Sequence, residues 1–62
     1  MTKDEARQLV LSEWLALPPT DRATETHAVI FALKAAGQYR WRAVGDRYQD
    51  IMDWIRDHIG KP

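Results

Sequence analysis

The chain has 62 residues, nine basic and nine acidic side chains, no cysteine and two histidines. That length allows one domain, which buries only roughly 60% of the surface its unfolded chain exposes. Balanced charge leaves no overall field to draw the chain to nucleic acid or an anionic membrane. The lack of cysteine removes disulfides and thiolate metal sites.

Stability must therefore come from packing of Trp14, Phe31, Tyr39, Trp41, Tyr48 and Trp54, or from burial against a partner or second copy. The opening Met-Thr-Lys-Asp-Glu lacks the apolar run of a secretory leader. No stretch approaches the ~20 apolar residues of a membrane span. The expectation is a single helical domain over residues 1–62, cytoplasmic and without membrane contact.

Thr2 and Glu5 fit the spacing of a capping box and predict a first helix over about 3–17. Val10, Leu11, Trp14, Leu15 and Leu17 share one broad face, with Trp14 as its anchor, while Leu9 and Ala16 fall on the far side. Pro18 and Pro19 end this helix, because each lacks an N–H and the residue before a proline avoids the α region.

Thr20 and Thr24 are both suitable caps for a second helix over about 21–37, with Gly37 as its terminating residue. On an ideal wheel its apolar residues, Ala28 to Leu33 with Ala35 and Ala36, fill most of the circumference. Only a strip of His27, Lys34 and Gln38 stays polar. A helix apolar nearly all round needs cover on more than one side, so this one is expected at the centre.

Residues 38–45 have two readings. A helix continued to Val44 would put Arg40 and Arg42 inside the apolar arc of helix 2. A break at Gly37 is therefore favoured, with an extended or irregular connection in which Tyr39, Trp41 and Ala43 alternate with Arg40 and Arg42. Folded back, this connection would cover part of helix 2.

Asp46 and Gln49 repeat the cap pattern and open a third helix over about 47–59, stopped by Gly60. Tyr48, Ile51, Met52, Ile55 and Ile59 form its apolar stripe. Trp54 and His58 lie at the edge of that stripe, and Asp50, Asp53 and Asp57 lie opposite. Carboxylates on a convex helix face do not converge as a cation site or an acid–base pair requires, so these three are expected to be solvated. The predicted fold is all-α, a small three-helix bundle.

Catalytic chemistry has little to stand on. Ser12 is the only serine and has no histidine at a local spacing that suggests a pair. His27 and His58 lack a metal-ligand spacing. No enzyme activity, cofactor or metal is expected. The candidate interaction surface is Tyr39, Arg40, Trp41, Arg42, Arg47 and Trp54, within a region where residues 34–47 hold four basic side chains against one acidic. Trp, Tyr and Arg dominate protein interfaces, and arginine beside aromatics also suits phosphate contact with base stacking. The bland alternative has Trp41 plugging the core and its arginines solvated or paired with Asp46, Asp50 or Asp53. The expected function is protein–protein interaction with an unknown partner or a second copy. Nucleic-acid binding through residues 39–47 is the alternative.

Overall fold

A computed structural model describes residues 1–60. It is a three-helix bundle: α1 (Lys3–Ala16), α2 (Glu25–Gln38) and α3 (Arg47–Ile55), with 3₁₀ turns at Pro19–Asp21 and Arg56–His58.

Each helix start is chemically specified. The Thr2 hydroxyl accepts from the Glu5 N–H, and the Glu5 carboxylate accepts from the Thr2 N–H, a complete capping box. Those hydrogen bonds hold the exposed Glu5 carboxyl below its ordinary pKa. The Thr24 hydroxyl accepts from His27 N–H, so Thr24 rather than Thr20 is the cap. Helix α2 therefore starts at Glu25, not at 21, because Pro19–Asp21 closes its own 3₁₀ turn. Asp46 caps α3 by accepting from Tyr48 N–H.

The helix ends differ more from expectation. Leu17 is already extended, as the residue before Pro18 must be, and α1 stops at Ala16 rather than 17. Gly37 does not terminate α2. The helix runs through it to Gln38, and Tyr39 makes the extended cap. Helix α3 ends at Ile55 rather than 59, tightening into the 3₁₀ turn before Gly60. Gly60 does end the segment, with φ of 74°, a backbone that favours glycine.

The centre of the bundle is also not the expected one. Helix α3, the shortest, is the element against which both α1 and α2 pack closely. Helix α2 turns only Ala28, Ala32 and Ala35 fully inward, and these small side chains let its backbone come close to α3. From α3 come Ile51, Met52 and Ile55, and from α1 come Ala6, Val10 and Trp14. Leu15, expected inside, is exposed, while Leu11 and Leu17 pack partly against the core.

Trp14 joins α1 to α2 and to the turn that follows α3. Its ring meets Phe31 of α2 edge-on at 5.2 Å, and its Nε1 donates to the His58 carbonyl at 3.3 Å. Lys3 sits 3.9 Å from Asp50 at the other end of α3. These two contacts show that α1 and α3 run in the same direction.

Arg22, with no role evident from its sequence neighbours, closes the loop side. It is only 7% exposed. Its Nε donates to the Leu17 carbonyl at 2.9 Å, filling an acceptor left open where α1 stops. Its own carbonyl accepts from Gly60 N–H at 2.9 Å, so the loop after α1 is held to the turn after α3.

Two glycines should respond in opposite directions. At Gly37 an added Cβ meets nothing within 4 Å, and the backbone is helical. Gly37→Ala should raise stability by about 0.5–1 kcal/mol by lowering the entropy of the unfolded chain. At Gly60 the Cβ would lie 3.3 Å from the Ala23 carbonyl oxygen on a left-handed backbone. Gly60→Ala should lower stability by about 1–2 kcal/mol. Urea unfolding of both variants checks the pair, and equal shifts of one sign would refute it.

Candidate interaction surface

The chain leaves α2 at Tyr39 with φ −108° and ψ 147° and stays extended or irregular until Asp46. This is the connection expected over 38–45, displaced by one residue. Its side chains alternate as an extended strand requires. Tyr39, Trp41 and Ala43 turn inward, and Arg40, Arg42 and Val44 turn out.

Trp41 is core. It is 4% exposed, its ring lies 5.2 Å from that of Trp54 at a tilt of 36°, and its Nε1 donates to Asp50 Oδ2 at 3.1 Å. Trp41 is thereby withdrawn from the expected contact surface. Trp54 stays there in part, half-buried against it. Asp50 is not on a solvated face. It sits half-buried, accepting from Trp41 with Lys3 nearby. Asp50 and Trp54 are i,i+4 neighbours on α3, and the Trp41 ring settles over both. The i,i+4 spacing is visible in the sequence, whereas the reach of Trp41 to it is set by the three-dimensional path of the connection.

Tyr39 is half-buried, and the Glu13 carboxylate of α1, as an acceptor for its hydroxyl, followed by desolvation, holds the phenol above its ordinary pKa. Arg40 and Arg42 are exposed and Arg47 is half-buried. With Trp41 in the core its flanking arginines are solvated rather than paired with Asp46, Asp50 or Asp53 among the described residues: Asp46 caps α3, Asp50 is engaged by Trp41 and Lys3, and Asp53 lies 3.3 Å from Arg56. The six predicted residues thus divide. The aromatic ones fasten the connection, Arg40 and Arg42 are what it displays, and Arg47 sits half-buried at the start of α3.

A second surface lies on α2. Ile30 and Leu33 are 52% and 61% exposed. On the wheel they sit opposite Ala28, Ala32 and Ala35. The cover expected for helix 2 therefore forms on its α3 side and flanks, and the opposite side stays open. Beside Ile30 is a cleft of about 340 Å³ lined by Leu17, Asp21, His27, Ile30, Phe31 and Lys34. His27, expected at the surface, is half-buried, and its Nδ1 is enclosed without a hydrogen-bond partner among the described residues. Among the described residues no group of three or more metal-ligating side chains gathers, and no helix is long and apolar enough to cross a membrane.

Two measurements probe the connection. Asp50→Ala strands a buried indole N–H and should lower stability by about 1–3 kcal/mol; an unchanged urea midpoint would count against the Trp41 bond. The Tyr39 phenol titrates higher folded than unfolded, so its contribution to stability is complete below the ordinary phenol pKa and is lost as pH rises through the folded value. In a Tyr48→Phe background, where Tyr39 alone gives tyrosinate absorbance, Glu13→Gln should move the titration to lower pH. An unmoved curve would remove Glu13 as the cause.

No protein-family model matches the chain, and comparison with curated proteins and with solved structures finds no similar one.

Proposed function

We propose that the chain is a non-enzymatic binding module that works by protein–protein contact through the open face of α2, taking a second copy or another protein. The observation that carries this is the pair Ile30 and Leu33, both more than half exposed, one helical turn apart, and continuous with a cleft to which Leu17 and Phe31 contribute apolar surface. Single exposed apolar residues are ordinary, but contiguous ones rimmed by polar groups mark contact sites. Asp21, His27 and Lys34 supply such a rim.

Nucleic-acid binding has weaker support. The largest aromatic beside the arginines, Trp41, is not offered for stacking on bases, since its ring is committed to Trp54 and Asp50.

Because both side chains are exposed, Ile30→Ser and Leu33→Ser should each leave stability within about 0.5 kcal/mol. A photo-crosslinking residue at position 33 should give one discrete adduct in cells, to a second copy or another protein, and Ile30→Glu should abolish it. A protein that sediments as a monomer and yields no adduct at that position would overturn the proposal.

A further inference from the structure

We propose that the outward edge of residues 39–43 docks an acidic segment of a partner protein in extended conformation, with Arg40 and Arg42 as the reading residues. This rests on the protein-contact function proposed above and adds a second, separate contact to it.

Three observations carry the inference. Arg40 and Arg42 are exposed and have no ion-pair partner among the described residues, although acidic residues lie close by in sequence. Those acids are already engaged. Asp46 holds the start of α3, Asp50 holds Trp41, and Asp53 lies beside Arg56. The local excess of positive charge is therefore not neutralised within the fold.

The backbone that presents the arginines is fixed on its inner side. The Trp41 indole is clamped between Trp54 and Asp50, and Tyr39 packs half-buried against the core. A fixed backbone lowers the entropy lost when a partner binds.

The third observation is register. In an extended chain alternate residues share a side and are spaced by about 6.5–7 Å. Burial alternates over residues 39–43, which puts Arg40 and Arg42 together on the outward side. A partner segment that is itself extended places Asp or Glu at its positions i and i+2 with the same spacing, so two carboxylates meet two guanidinium forks, each able to accept two parallel N–H bonds. A phosphate backbone would meet the same charge. It would gain no stacking on Trp41, however, since that indole is turned inward.

Fluorescence anisotropy with the full chain tests this. The probe is a labelled peptide of alternating Glu and Thr. The controls are a peptide of the same composition with its Glu residues in one block, and a single-stranded oligonucleotide. The alternating peptide is expected to bind at low salt and to weaken steeply as salt is raised. Arg40→Ala with Arg42→Ala should weaken it about tenfold or more, while Leu33→Glu, on the other surface, should leave it unchanged. Both arginines are exposed, so the double variant should keep its circular dichroism. Arg40→Lys with Arg42→Lys preserves charge but not the forks, and should recover only part of the affinity. Binding that survives the double alanine variant, equal binding of the blocked peptide, or tighter binding of the oligonucleotide would each overturn the proposal. A change caused by Leu33→Glu alone would place the peptide on α2 instead.

Discussion

The bundle depends on the indole of Trp14. Helix α1 packs its backbone more closely on α3 than on α2, and Trp14 ties it to α2, ring-to-ring with Phe31, and to the turn after α3, N–H to carbonyl with His58. Its side chain is fully buried and the largest of those that are. In a chain that buries so little in total, one aromatic group of this size is a large share of the apolar stabilisation. Its N–H also decides where the last turn sits, because a buried indole donor without an acceptor would be unfavourable.

A second indole mirrors it at the other end of α3. Trp41 donates to Asp50 in the first turn of α3, and Trp14 donates to His58 just beyond its last turn. Helix α3 has nine residues, too few to persist alone in water. It exists because the two tryptophans hold its ends while Ile51, Met52 and Ile55 fill the space between α1 and α2. The surfaces left over are set by the same contacts. Trp41 faces inward, so its neighbours Arg40 and Arg42 face outward. Helix α2 is drawn onto α3 by its alanine face, so Ile30 and Leu33 point away.

Local chemistry in the sequence was legible and long-range reach was not. The capping box at Thr2 and Glu5, the cap at Asp46, the proline stop and the alternation of residues 39–43 each depend on neighbours within a few positions. All four appear in the structure. Thr20 and Thr24 offer the same hydroxyl, and only the 3₁₀ turn between the prolines and Asp21 decides between them. The apolar stripe of the third helix continues to Ile59, but periodicity does not register the tightening after Ile55 that accompanies the Trp14 bond to His58. Arg22 reads as a loop cation, and its burial follows from Leu17 and Gly60, which converge on it only in three dimensions. The wheel of helix 2 counts apolar residues without showing which of them α3 covers. The wheel therefore calls for cover on more than one side without showing that the side of Ile30 and Leu33 is the one left open.

The alternation of residues 39–43 also constrains how this chain can vary in length. Connections between helices usually accept insertions and deletions, since their side chains mostly face water. Here one residue added or removed between Tyr39 and Trp41 would shift the phase and present an arginine to the Trp54 pocket and an indole to solvent. A change of two residues would keep the phase. This segment behaves as a reading frame of period two, so length variants that keep the fold should carry even-numbered changes here, whereas the outer part of the loop, near Val44 and Gly45, has no such requirement.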